Sequence, residues 1–275
     1  MNKKVIRLGL IGKDVSKSLS EGMHGFILSQ LGYACEYERL SVSPENFDSA
    51  IRRLLGDFDG FNVTIPYKRD VMEYLDEIVG DAMDFSAVNT VLSAKRAGYN
   101  TDGLGFMLML RLSNIDVVGK RVLVLGAGGA GRSSAAALKK AGAKVYLYQR
   151  RKAELLETCN ELGVFAAESP ETGGYDLLLN CTGVGMHDTV GKSPVTAQAF
   201  VGASLAVDLI YAPEKTEFLR LAEEQGLSIV NGKAMLFYQA YFADCLYLGV
   251  EPNDAQAVRF YQKYNEQSSK EGVEL

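Results

Sequence analysis

Apolar runs and amphipathic stretches follow one another along the whole chain, and their order predicts alternating strands and helices. Residues 5–11 form an apolar run read as the first strand, and 21–31 read as an amphipathic helix with Ser20 as its cap. Alternation over 36–42 predicts a second strand. Residues 44–55 predict a helix with Pro44 in its first turn. A strand over 60–65 follows, and Pro66 is expected to open a helix running toward Ile78. Residues 88–93 read as a strand and 97–100 as a turn. The first third therefore predicts an α/β unit with a mostly parallel sheet of its own.

A second α/β pattern begins near residue 104. It has a helix over 104–113, an apolar strand over 121–125, a glycine-rich turn and a helix over 130–141. A strand over 144–148, a helix over 152–162 and strands over 176–180, 205–208 and 228–230 complete it. The expected domain boundaries are 1–103 and 104–235. An apolar helix over 235–248 follows, and the polar end from 265 to 275 is expected to be mobile.

The 275 residues are 47% hydrophobic, enough for one large domain or two moderate ones. A net charge of −5 argues against nucleic acid as the partner, which needs a basic face. No stretch approaches the ~18 apolar residues of a membrane helix. The N-terminal apolar run breaks at Arg7 with no small-residue cleavage site after it, so it reads as a strand and not as a secretory leader. Cys35, Cys159, Cys181 and Cys245 form no CxxC pair and are expected to be reduced thiols of a cytoplasmic protein. Only two histidines, His24 and His187, are present. With no carboxylate pair at ligand spacing, no metal site is expected, and His24 reads as packing or capping.

The firmest chemical motif is Gly126-Ala127-Gly128-Gly129-Ala130-Gly131, between the strand VLVL and an alanine-rich helix. In that context Gly126 permits the tight turn, Gly128 lets the backbone approach a pyrophosphate, and Gly131 lets helix and strand pack closely. Free N–H groups at the helix start then face the phosphates. The motif predicts a nicotinamide-dependent oxidoreductase. The end of the next strand predicts which cofactor. An enzyme that uses NAD usually has an acid there for the ribose hydroxyl, but this chain has Gln149-Arg150-Arg151-Lys152. Guanidinium groups grip a 2′-phosphate in a fork geometry, so NADP is expected. Cations at a helix N-terminus also oppose its dipole, which suggests that something else keeps them there.

Several clusters outside this unit carry chemistry. Ser18 and Ser20 place two hydroxyls at a strand-to-helix turn, suited to a carboxylated or polyhydroxylated ligand; capping accounts for only one of them. In the segment 61–68, FNVTIPYK, a strand delivers Thr64, and Pro66 bends the chain so that Lys68 follows closely. A partly desolvated lysine is a candidate proton donor or acceptor. Asn89-Thr90 and Asn100-Thr101-Asp102 supply amides, hydroxyls and a carboxylate, and Asp102 is a candidate partner for Lys68. The segments from Asn180 to Met186, from Asp208 to Tyr211 and from Asn231 to Gln239 follow strands, where α/β sheets place ligands.

Taken in order, the segments SLS, NVTIPYK, AVNT, YNTDGLG, GAGGAGRS, NCTGVGM, DLIYAPEKT and NGKAMLFYQA resemble the shikimate dehydrogenase family from Gly12 to about Gly249. The resemblance implies NADP-dependent reversible reduction of 3-dehydroshikimate to shikimate in aromatic amino acid biosynthesis. A relative acting on quinate or another ring hydroxy acid is one alternative, and a non-catalytic NADP-binding protein is another. The implied fold is an N-terminal α/β substrate domain, completed by the C-terminal helices over 236–275, plus a Rossmann-type NADP-binding domain, with the active site in the interdomain cleft.

The same resemblance implies that Lys68 and Asp102 are the catalytic pair and that Ser18 and Ser20 bind the substrate carboxylate. Thr64, Asn89, Tyr211 and Gln239 complete the substrate set. The glycine turn, with Gln149, Arg150, Arg151, Thr182 and Gly232, forms the cofactor set. The partner is a small molecule, and the chain acts as a monomer or homodimer. The sequence departs from the family pattern at several positions. Lys17 and Glu21 stand where histidine and proline are usual around SLS, and Gly25 replaces an asparagine. Gln149-Arg150-Arg151 replaces Asn-Arg-Thr, Gly183 replaces a serine or proline, and tryptophan is absent.

Overall fold

A computed structural model describes residues 4–271, with side chains through residue 268. The predicted mobile segment 265–275 lies partly outside these residues, at 272–275. The chain divides into two compact units. One holds the chain up to Gly105 together with the segment from Phe237 onward, and the other holds Phe106–Leu236.

The first unit runs β1 (Val5–Gly12), α1 (Ser20–Gln30), β2 (Ala34–Ser41), α2 (Phe47–Asp57), β3 (Gly60–Val63), β4 (Glu77–Ile78), α3 (Asp81–Phe85), β5 (Thr90–Leu92) and β6 (Ala97–Tyr99), and the first residues of α4 (Asp102–Leu112) close this stretch before the helix continues into the second unit. Its six-stranded sheet has the order β2-β1-β3-β5-β6-β4. β1 pairs in parallel with β2 and with β3, while β5 is antiparallel to both β3 and β6. The central strands β1 and β3 are almost wholly buried, as strands covered on both faces must be. α2 packs Phe47, Ile51 and Leu54 against Phe61 and Val63 of β3.

This topology gathers chemistry at one sheet edge. β1 and β3 deliver their carboxyl ends there, with Ile11 in register with Val63. β5 runs the other way, so its start meets the same edge, with Asn62 opposite Thr90 and Thr90 opposite Tyr99. The Ser18 turn, Thr64, Asn89 and Asp102 therefore all lie just beyond strand ends on that edge.

The second unit runs β7 (Arg121–Leu125), α5 (Gly129–Lys140), β8 (Lys144–Tyr148), α6 (Lys152–Leu162), β9 (Phe165–Ala166), β10 (Leu177–Asn180), β11 (Leu205–Asp208), α7 (Glu217–Glu224) and β12 (Ser228–Asn231). All its pairings are parallel, in the order β12-β11-β10-β7-β8-β9. Two strand series fan out from β7, and the order reverses between β7 and β10. This is the doubly wound dinucleotide-binding arrangement, with the ligand crevice at the reversal. α7 buries Phe218, Leu219 and Ala222 against Leu178 and Ala206. Two last helices, α8 (Lys233–Leu248) and α9 (Asp254–Glu271), end the chain.

Four local expectations are corrected. Residues after Pro66 form a turn, a short 3-10 segment over Asp70–Tyr74 and β4 instead of one helix toward Ile78. Residues 97–99 are strand β6, because they pair with both β5 and β4. The first sheet is mostly parallel as expected, with three parallel pairings, and β5 is antiparallel to β3 and β6 within it. Ser20 does not cap α1: the cap position is Leu19, with no side-chain bond. The polar segment from Asn265 is helical through Glu271 instead of mobile. Phe26 of α1 meets Tyr264 edge-on at 5.2 Å, which gives α9 an anchor that its polar composition hides.

Candidate active site

In the first unit the predicted pair forms. Lys68 Nζ donates to Asp102 Oδ2 at 2.5 Å, with both side chains largely buried. Local backbone geometry places each partner. The Lys68 carbonyl accepts from Val88 N–H at 2.8 Å, which ties the turn after β3 to the start of β5. Asp102 N–H donates to Asn100 Oδ1 at 3.0 Å, and Asn100 Nδ2 donates to the Ala87 carbonyl at 2.7 Å. Asn100 thus fixes the turn that aims Asp102 at the start of α4.

Asn89 sits at the centre. Its Nδ2 donates to Asp102 Oδ1 at 2.8 Å and reaches Thr101 Oγ1 at 3.0 Å and Gln239 Oε1 at 3.4 Å. Its Oδ1 accepts from Thr101 N–H at 2.8 Å and from Thr90 Oγ1 at 2.9 Å. Asn89, Thr90, Thr101 and Asp102 are all buried, so this polar network is dry and closely satisfied. Removing one member of a buried charge pair costs far more than the pair contributes to stability. A buried lysine–aspartate contact ringed by amides is therefore better suited to chemistry than to holding the fold.

The serine turn lies on the same sheet edge. Ser18 Oγ donates to Ser20 Oγ at 3.0 Å, and Ser20 N–H donates to Ser18 Oγ at 3.3 Å. Thr64 follows β3, with its methyl group close against Gly12 at the end of β1. The sequence reading did not single out Asn62 or Tyr37. Asn62 Nδ2 reaches the Asn89 carbonyl at 3.3 Å and Thr90 Oγ1 at 3.4 Å, and Tyr37 donates to Asn62 Oδ1 at 3.3 Å. An asparagine within the otherwise apolar strand Gly60-Phe61-Asn62-Val63 was the available signal, since strands disfavour Asn.

The residues expected to bind the cofactor lie in the second unit. Gly126 adopts φ +98°, and a Cβ on Gly131 would lie 2.0 Å from the Gly126 carbonyl oxygen, so turn and helix touch backbone to backbone. Nothing lies within 4 Å of a Cβ built on Gly128, so that position is open. An open glycine at the start of α5, with unpaired helix N–H groups beside it, fits a pyrophosphate. Arg150 is exposed beyond β8. Arg151 is paired with Glu154 in the first turn of α6 at 2.8 Å. The Glu154 carboxylate offsets the cost of a cation at that helix start, so no bound phosphate is needed to hold Arg151 there, while no acid stands at the end of β8 to oppose a 2′-phosphate.

Thr182 Oγ1 donates to Asn180 Oδ1 at 2.7 Å and accepts from Val184 N–H at 3.1 Å, shaping the loop after β10. Gly232 is required by packing, because a Cβ there would lie 2.0 Å from the Leu209 carbonyl oxygen. Tyr211 follows β11 in this unit, and burial pushes its phenol upward. Asp208, fully buried, accepts from Thr216 Oγ1 at 2.6 Å, Ile210 N–H at 3.0 Å and Asn180 Nδ2 at 3.1 Å. Burial still pushes its carboxyl up to about 6.

Among the described residues no helix is long and apolar enough to cross a membrane, and no cluster of three or more metal-ligating side chains is found. The family described as shikimate dehydrogenase substrate binding domain matches residues 10–91. A shikimate dehydrogenase (NADP(+)) of Thermus thermophilus is 37% identical over 251 residues, covering 90% of this chain and 95% of that protein. An enzyme of the same name from Bacillus cereus is 38% identical over 259 residues, covering 89% and 93%. The crystal structure of shikimate 5-dehydrogenase from Thermus thermophilus in complex with NADP(H) and shikimate superposes with a TM-score of 0.85 at 35% identity, over 94% of this chain and 99% of that one. Likeness of this degree, along nearly the full length of each relative, places the chain in the shikimate dehydrogenase family.

Proposed function

We propose that the chain catalyses the NADP-dependent, reversible reduction of 3-dehydroshikimate to shikimate, with Lys68 and Asp102 as its proton-transfer pair. The observation that carries this reading is the 2.5 Å contact between Lys68 Nζ and Asp102 Oδ2 inside a satisfied amide and hydroxyl network. A protein that only bound the cofactor would have no need of it. NADPH, when bound, supplies the hydride that reduces the carbonyl carbon. The Lys68 ammonium gives a proton to the carbonyl oxygen in the same step, and the resulting amine regains a proton from water. In the oxidative direction the neutral amine takes the hydroxyl proton. Asp102 holds Lys68 in place for this transfer.

Ser18 and Ser20 present hydroxyls to the substrate carboxylate, while Thr64, Asn89 and Gln239 order the ring oxygens. The turn from Gly126 to Gly131 receives the pyrophosphate, and Arg150, with Arg151 and Gln149 beside it, grips the 2′-phosphate. The four cysteines are all free thiols, as expected of a cytoplasmic enzyme. It would act on small molecules as a monomer or homodimer.

The test is absorbance of the reduced cofactor with shikimate or quinate, each paired with NADP or NAD. Turnover concentrated on shikimate with NADP is expected. Faster turnover on quinate with NAD would replace the reading with that of a quinate-oxidising relative, and no turnover in any pairing with a bound cofactor would leave a binding protein.

A further inference from the structure

Asn180 and Asp208 end the neighbouring parallel strands β10 and β11 and stand opposite each other in register. Both side chains are fully buried. Asn180 Nδ2 donates to Asp208 Oδ1 at 3.1 Å and to the Val184 carbonyl at 3.3 Å. Asn180 Oδ1 accepts from Thr182 N–H at 3.0 Å and from Thr182 Oγ1 at 2.7 Å. The whole capacity of this amide is thus used, mostly on the loop after β10. Asp208 does the same for the next loop. Its Oδ1 also accepts from Ile210 N–H at 3.0 Å, and its Oδ2 accepts from Thr216 Oγ1 at 2.6 Å. Thr216 in turn accepts from Leu219 N–H at 3.3 Å as the cap of α7.

Two close backbone approaches lie beside the pair. Gly185 has φ +119°, and a Cβ there would lie 3.3 Å from both Ile210 Cδ1 and Thr216 Cβ, so the two loops pack on each other. Gly232, just after β12, packs at 2.0 Å in the same sense against the carbonyl of Leu209, the residue after Asp208. The segments that carry Thr182, Tyr211 and Gly232 therefore converge on one buried amide–carboxylate contact. A carboxylate buried among neutral donors costs stability that an apolar pair of the same shape would not. What this contact orders accounts for it better than what it adds to the fold.

We propose that Asn180 and Asp208 are positioning residues for NADP binding. One hydrogen-bonded unit holds the loops after β10 and β11 in a single arrangement, the one that presents Thr182 to the cofactor, and loosening either residue loosens both loops. This rests on the assignment of Thr182 to the cofactor set.

The experiment compares Asn180→Ala, Asp208→Ala and Asp208→Asn with the parent in two measurements on the full chain. One is amide hydrogen exchange without cofactor, and the other is calorimetric titration with NADP. Exchange of the β7 amides reports opening of the whole unit and is the reference. Relative to it, Asn180→Ala is expected to speed exchange about tenfold or more at Ile210, an amide bonded to Asp208 and not to Asn180. Asp208→Ala is expected to do the same at Thr182, which bonds to Asn180. Each alanine variant should weaken NADP binding about 5- to 50-fold, as for buried groups left unmet. Asp208→Asn keeps an acceptor for Asn180 and Ile210 and a donor for Thr216, so it should return both readouts to within about twofold of the parent.

Thr182→Val separates this proposal from the assignment beneath it. If that variant binds NADP as the parent does, the assignment of Thr182 fails and the proposal with it. If it weakens binding while the alanine variants do not, or if each alanine variant speeds only the amide that it bonds itself, the coupling fails and the assignment survives. No uptake of NADP by the parent would fail the functional reading itself. Should the alanine variants yield little folded protein, Thr216→Val removes the far hydroxyl at nearly the same shape. It is expected to speed exchange at Thr182 and to weaken NADP binding; unchanged values there overturn the proposal.

Discussion

The Asp102 carboxylate is engaged at both oxygens by groups from different parts of the sheet edge: Lys68 Nζ at 2.5 Å on Oδ2 and Asn89 Nδ2 at 2.8 Å on Oδ1. Lys68 comes from the turn after β3 and Asn89 from the residue before β5, two strands that run antiparallel. The pairing of β3 with β5, and not sequence proximity, creates the pair. Lys68→Ala is expected to lower kcat by about 10²–10⁴-fold, the usual contribution of a positioned proton-transfer group, with little change in KM for shikimate. Steady-state kinetics at saturating NADP decide it: a kcat within tenfold of the parent would remove Lys68 from the chemical step.

Arg150 is exposed beyond β8, whereas Arg151 is paired with Glu154. Of the two guanidinium groups, Arg150 is therefore the one assigned most of the 2′-phosphate contact. Arg150→Ala should raise KM for NADP by about 10-fold or more, the equivalent of a charge-assisted bond, and change KM for NAD little. Equal losses for the two cofactors would move the phosphate site elsewhere.

The glycine turn, the strand before it and the helix after it were legible because each rule there is local: an apolar run, positive-φ glycines and an alanine-rich helix. Lys68 and Asp102 were legible as residue types, but their meeting depends on β5 and β6 closing as a hairpin, and residues 97–99 read as a turn because three residues show too little alternation to mark a strand. Asn100 and Thr101 were visible as polar residues after a turn, while their work in aiming Asp102 depends on the Ala87 carbonyl and the Asn89 side chain, 13 and 12 residues away. His24 was the least legible. Its partner Asp244 lies 220 residues on, in a helix whose pattern is simply apolar, and no spacing rule connects them. The C-terminal helix was missed for a related reason: a polar sequence looks mobile until the aromatic contacts of Tyr264 with Phe26 and Phe237 are known.

Gly131 tests whether the dinucleotide turn is limited by backbone packing. A Cβ there would lie 2.0 Å from the Gly126 carbonyl oxygen and 2.9 Å from its carbon, backbone atoms that cannot rotate away. Gly131→Ala should cost the unit about 1–3 kcal/mol or more, in the manner of an overpacked core, and should raise KM for NADP. Thermal unfolding with and without NADP measures both effects. A variant with unchanged melting and an unchanged shift on adding NADP would contradict the close approach.

Asp208 links the second unit to pH. Its carboxyl, ordinarily near 3.8, is pushed up to about 6 by burial, against the pull of Thr216, Ile210 and Asn180. A carboxyl whose folded value is raised binds its proton more tightly in the folded state. Its stabilising contribution is therefore complete below about pH 3.8 and is lost as pH rises through about 6. A shift of that size corresponds to about 3 kcal/mol between the two limits. Asn at this position keeps the shape, accepts from Asn180 and Ile210 on one side and donates to Thr216 on the other, but does not titrate. The stability of Asp208→Asn relative to the parent, from denaturant unfolding at a series of pH values, should therefore rise between about pH 4 and 6 and stay level above about 7. Other carboxylates contribute equally to both proteins and cancel in the difference. A difference that is flat across the whole range would mean that the three donors outweigh burial and that Asp208 is ionised in the folded protein throughout.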